Sequence, residues 1–154
     1  MERKIYIMNK MIQTTKSLYP EYICLFKIGT FYCAYNRDAY IMSYLFKYKI
    51  REKKDEKEVG FPVDSINKIK ARLEQEKINY ILVETSTEYD ISEKQDLNNS
   101  NKYNEIYSKA RNYINYKLRV DAVYKIMLDM INEKDFRKTL AKVEEIVYGE
   151  EGKV

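Results

Sequence analysis

"KIGTFYCAY", residues 27–35, is the stretch on which the fold turns. A lone glycine followed by an aromatic run reads as a bend leading into extended chain. Alternate side chains of an extended chain share a face, so Phe31 and Cys33 point one way and Tyr32 the other. Just upstream, "YICLFKI" (22–28) is short, apolar and rich in β-formers, which predicts a buried strand. Two strands therefore meet at Gly29. The question they pose is whether Phe31 belongs to the core or reaches out of it.

Working outward, "IYIMNKMIQTTKSL" (5–18) places Ile5, Met8, Met11, Ile12 and Leu18 at helical spacing, and Pro20 stops that helix. Asn36 or Asp38 is placed to cap a helix over "RDAYIMSYLFKY", with Ala39, Met42, Leu45 and Phe46 inward. "KIREKKDEKEVGFP" (49–62) reads as the start of a strand running into a charged, solvated loop that Val59, Gly60, Phe61 and Pro62 close. Asp64 or Ser65 opens a helix over "INKIKARLEQEK", and "INYILVET" (78–85) is a strand. The order α-β-β-α-β-α-β predicts an α/β domain over residues 1–85, a small mixed sheet flanked by helices. Residues 86–101 are polar and turn-forming and read as a linker. Residues 102–149 are helical, with one stripe through Tyr103, Ile106, Tyr107, Ala110, Tyr113 and Ile114. A second runs through Val123, Ile126, Met127 and Met130, and a third, after a break at Asn132–Asp135, through Phe136, Leu140, Val143 and Val147. Residues 150–154 form a tail.

Composition narrows the chemistry. The chain has 154 residues, 45% of them hydrophobic, enough to build a core. Its 28 basic and 24 acidic residues leave a formal charge of +4, which permits nucleic-acid contact without demanding it. Sixteen tyrosines and five phenylalanines supply rings that can pack on each other or stack on bases. With no histidine, His-based triads and the commonest general base are excluded. None of the four glycines sits in a phosphate-cradling motif. Cys24 and Cys33 have neither zinc nor redox spacing, so no metal and no cofactor is expected. With no export signal and no long apolar run, the expectation is a reduced, cytoplasmic protein that is not an enzyme.

The segment "KMIQTTKSLYPEYICLFKIGTFYCAYNRDA" resembles the opening of the MutS mismatch-recognition proteins. There a helix ends at a proline and a strand leads into L-F-x-[RK]-x-G-D-F-Y-E-x-[FY]-x-x-D-A. Leu25, Phe26, Lys27, Gly29, Phe31, Tyr32, Tyr35, Asp38 and Ala39 fall on that pattern in register. The family's G-[IV]-P is similar to Gly60-Phe61-Pro62, and its basic loop falls on Ile50, Arg51, Glu52 and Lys53. The resemblance covers about residues 8–85. It implies the fold of the MutS N-terminal domain, a DNA-binding module without ATPase activity that approaches mispaired or distorted duplex from the minor groove.

By the same resemblance Phe31 is the wedge that stacks beside a mispaired base. Phe61 and Pro62 lie near the groove, and Lys27, Arg51 and Lys53 meet phosphates. Cys33 stands where the family has the glutamate of F-x-E, and a thiol is a weak acceptor. Stacking by Phe31 is thus retained while the strong acceptor is lost. Two further readings compete. In one, the helical region docks a partner, such as the reverse transcriptase or polymerase of a mobile or diversity-generating element, or a second copy of the chain. In the other, clustered acids and a metal make a small nuclease, a reading for which no carboxylate constellation stands out.

Overall fold

The computed structural model describes residues 2–86, 90–98 and 100–149, with residues 2–8, 100 and 101 as backbone alone. The expected tail at 150–154 and positions 87–89 and 99 of the expected linker lie outside the described residues, and Ile5 and Met8 of the first helical stripe have no described side chains.

The most apolar stretch becomes the middle of the sheet. Strand β1 (Ile23–Ile28) is flanked by β2 (Phe31–Tyr35), antiparallel, and by β5 (Tyr80–Glu84), parallel. A strand covered on both faces has to be apolar at consecutive positions, and Ile23, Cys24, Leu25 and Phe26 are all at most 2% exposed. Outside β2 lies a hairpin of β3 (Arg51–Lys53) and β4 (Glu56–Pro62), and outside β5 lies β6 (Asp90–Gln95). The order is β3-β4-β2-β1-β5-β6. This is the mixed α/β architecture expected from the sequence.

Helices cover the sheet unequally. On one face Leu25, Tyr32, Val59, Phe61, Tyr80 and Leu82 pack against α2 (Arg37–Phe46), α3 (Ile66–Gln75) and the first half of α4 (Ser100–Asp129). Each fully buried large side chain there contributes about 1.5–3 kcal/mol. Tyrosines bind α4 to α2: Tyr107 stacks on Tyr40 at 6.2 Å between ring centres, and Tyr113 meets Tyr44 edge-on at 5.4 Å. On the other face α1 (Glu2–Leu18) sends Ile12 onto Cys24, Phe26, Ile81 and Val83.

A buried acid ties four elements together. Asp38 of α2, 2% exposed, accepts from Lys16 Nζ of α1 at 2.7 Å, from the Cys24 amide of β1 at 3.0 Å and from the hydroxyl of Tyr103 in α4. Lys16 also donates to the Tyr22 carbonyl at 2.7 Å and lies 4.4 Å from the centre of the Tyr103 ring. Asp38 is thus an anchor and not the helix cap suggested by its position. Asn36 occupies the cap position, but its side chain accepts from the Lys57 amide at 3.1 Å, leaving the helix without a side-chain cap.

Two expectations need correcting. Residues 51–58 are a hairpin and not a loop: Arg51 pairs with Glu58, Glu52 with Lys57 and Lys53 with Glu56 across the strands. Opposite charges facing each other across a ladder are favourable, so the alternation of sign that suggested a solvated run is cross-strand pairing. Residues 90–95, expected to be linker, form the outermost strand. It is mostly exposed, with charges at Asp90, Glu93 and Lys94, as an edge that must discourage further pairing tends to be. Lys70 of α3 reaches Glu93 of this strand at 2.9 Å.

The first compact unit runs to Ile114 and so gains β6 and the opening of α4 relative to the expected 1–85 domain. The second, from Asn115, holds the rest of α4 and α5 (Phe136–Tyr148). Among the described residues the exposed large hydrophobic side chains all belong to this second unit, except Leu18, Phe31 and Ile91. No helix among the described residues is long and apolar enough to cross a membrane.

Candidate nucleic-acid interface

The site is built on strand parity. Residues directly opposite one another in a ladder share a face. The pairs Phe31–Pro62, Cys33–Gly60, Tyr35–Glu58 and Glu58–Arg51 therefore set these side chains, with Lys53, on the α1 side of the sheet. Helix α1 covers the part over β1 and β5. The part over β2, β4 and β3 carries the exposed residues Phe31, Arg51, Lys53 and Pro62.

Phe31 opens β2 directly after a two-residue turn, Gly29–Thr30. Gly29 has φ +63° at the first turn position, which suits a type II′ hairpin and which most other residues avoid. The Thr30 carbonyl accepts from the Val63 amide at 3.0 Å, tying the turn to the end of β4. Phe31 is 47% exposed. It is an aromatic held on a ladder with about half its surface open.

Cys33 lies two residues further in and is 5% exposed. Burial, and next the neighbouring Glu58 carboxylate, push its pKa up to about 11. A buried protonated thiol has little to offer a ligand beyond its shape. Glu58 is itself 5% exposed and is held by two cations, Lys53 at 3.0 Å and Arg51 at 3.6 Å. Gly60 makes room for that arrangement. A β-carbon there would stand 3.1 Å from Arg51 Nη2 and 3.8 Å from Cys33 Sγ, so the guanidinium lies over a bare backbone.

Of the sequence-derived residues, Phe31, Cys33, Arg51, Lys53 and Pro62 share this face. Lys27 does not: it is opposite Tyr32, on the other side of the sheet, with its amine 3.6 Å from Glu84. Phe61 is a correction. It is 1% exposed and packs in the core between Tyr32 and Tyr48, with ring centres 5.8 and 5.7 Å away. Position 61 has the opposite parity to Pro62, so it faces the helices and has no surface for a ligand. Glu58 and Gly60 were not singled out as site residues, although counting back by twos from Pro62 along β4 reaches both.

The MutS domain I family model matches residues 7–113. No curated protein matches the chain. The match takes in most of α1, the whole six-stranded sheet and the first half of α4, well over half of the 154 residues. The chain belongs to the MutS domain I family.

Proposed function

We infer that this chain recognises mispaired or otherwise distorted duplex DNA from the minor groove, with Phe31 entering between base steps. The observation that carries this reading is the half-exposed Phe31 ring, fixed at the start of a strand on the same face as Arg51 and Lys53. Family membership supports a mismatch-recognition role of this kind. An apolar wedge costs a few kcal/mol of unstacking per step, offset by contacts to the bent duplex. A mispaired step is already cheaper to unstack, so selectivity comes from deformability as well as from contact. Arg51 and Lys53 meet phosphates and Pro62 lines the groove beside the wedge, while Cys33 shapes the floor and Lys27 contributes only from the far face. The chain works by binding and not by turnover. Its two free cysteines suit a reducing, cytoplasmic setting.

The test is a titration of mismatched and matched duplexes at two salt concentrations. Both affinities should fall with salt, because phosphate contacts release counterions, while the preference for the mismatch persists. Equal binding of the two duplexes would sink the reading. A second reading rests on the exposed apolar residues of the second unit, which suit a protein partner such as a polymerase. Tight binding of such a partner by a chain indifferent to DNA would favour it.

A further inference from the structure

We propose that Glu58 is a positioning residue for phosphate contact: an internal counter-ion that holds Arg51 and Lys53 until duplex phosphate displaces it. The proposal rests on the DNA-binding reading above and adds what limits the strength of that binding.

The first observation is where the three charges lie. The Glu58 side chain is 7% exposed, whereas those of Arg51 and Lys53 are 55% and 65% exposed. The acid sits within the face and the cations at its surface. A buried carboxylate without partners is costly, so these two contacts are what lets an acid occupy the position.

The second is the course of the two cations. Lys53 is directly opposite Glu56 in the ladder, yet its amine lies 3.0 Å from Glu58, the diagonal neighbour. Arg51 is opposite Glu58 and long enough to extend into water. Instead its guanidinium lies against the bare backbone of Gly60, 3.6 Å from the Glu58 carboxylate. Both side chains are drawn down onto the one acid.

The third is that Glu58 acts as a negative charge on the groups around it. Tyr35 faces it across the β2–β4 ladder, and Cys33 and Glu56 flank it. The Cys33 thiol, the Tyr35 phenol and the Glu56 carboxyl are all pushed up, by burial first and by Glu58 among the further causes.

A phosphate arriving over this face therefore competes with Glu58 for the same two cations. Attraction to phosphate is blind to sequence, so the competition lowers affinity for every duplex by the same factor. The Phe31 ring carries no charge and is untouched by it. Matched DNA, the weaker ligand, is released soonest, and discrimination stays with the ring.

The test measures binding to matched duplex over about 50–200 mM salt, so it needs no mismatch preference. Glu58→Gln keeps the shape and removes the charge. It should steepen the slope of log affinity against log salt by about 0.9, one further phosphate contact, and raise affinity about eightfold at about 0.1 M salt. Lys53→Gln in the parent should flatten the slope by less than about half that amount, because Glu58 already holds the amine. In the Glu58→Gln background the same change should cost the full contact, about 0.9. A general effect of surface charge predicts equal losses in the two backgrounds. Such equality, or a Glu58→Gln variant with unchanged or weaker binding, would overturn the proposal. Should circular dichroism show that Glu58→Gln does not fold, Lys53→Gln decides alone, and a full-contact loss in the parent overturns it. A chain that bound matched and mismatched duplex alike would defeat the wedge and leave these slopes to be read; one that bound neither would defeat both.

Discussion

Replacing Phe31 by alanine removes the exposed ring and little else on that face. About half of the residue is open, 47% by area. A phenylalanine has roughly 150–250 Å² to bury, so about 100 Å² remains for a base to cover. At about 25 cal/mol per Å² that contact contributes about 2.5 kcal/mol, and alanine substitution at base-stacking aromatics elsewhere costs about 1–3 kcal/mol. The two routes agree on about 2 kcal/mol, roughly a thirtyfold loss of affinity. The loss should fall mainly on the mismatched duplex, since on matched DNA the unstacking cost offsets what the ring gains. Fluorescence anisotropy with labelled mismatched duplex, competed by matched and mismatched strands, reads the ratio directly. The packed half of the ring makes the variant less stable by about 1–2 kcal/mol, an upper estimate from extended-chain areas, so binding is measured well below its melting point. Phe31→Leu keeps most of the packing and should fall between the two. An alanine variant that kept the greater part of its mismatch preference would refute the wedge, whatever it did to overall affinity.

Other consequences follow from the same geometry. Gly60→Ala places a β-carbon 3.1 Å from the Arg51 guanidinium, and the movable arginine tip yields while the backbone does not. Affinity should drop equally for matched and mismatched duplexes, with stability unchanged or raised by about 0.4–1 kcal/mol. Asp38→Ala leaves the Tyr103 hydroxyl proton and the Cys24 amide without their acceptor and should cost about 3–5 kcal/mol in urea unfolding, whereas Tyr103→Phe should cost about 1 kcal/mol. An Asp38 variant as stable as the parent would mean that the anchor is ornamental. The Cys33 thiol is raised from 9.0 to about 11, so the fold favours its protonated form. The stability this contributes is complete below about pH 9 and is lost as pH rises towards 11, and Cys33→Ser should shrink the fall in urea midpoint over that window.

The sequence disclosed those parts of the molecule in which side-chain character and burial coincide. β1, β2, β5 and the helices around them are apolar where they are buried, and the Tyr103–Ile114 stripe faces the sheet. β6 and the β3–β4 hairpin were not legible, because an edge strand can be charged at almost every position and its pairing depends on a neighbour distant in sequence. Asp38 looked like a cap because an acid near a helix start usually is one; its partners lie 14, 22 and 65 residues away. Phe61 was drawn towards the interface by its neighbours Gly60 and Pro62, and β4 parity sends it the other way. Phe31 could be found from its motif, but its exposure depends on the turn and strand that hold it.

Because Phe31 is a rung of a ladder, its outward direction is a matter of odd and even. One residue added to or taken from the Gly29–Thr30 turn, with the rest of β2 sliding to suit, would turn the phenol of Tyr32 towards solvent and drive Phe31 in among the helices. Chains sharing this architecture should therefore keep a residue tolerant of positive φ at the first turn position, vary the second more freely and change their number hardly at all, and grafting the ring into another hairpin will succeed or fail on that count before any question of affinity arises.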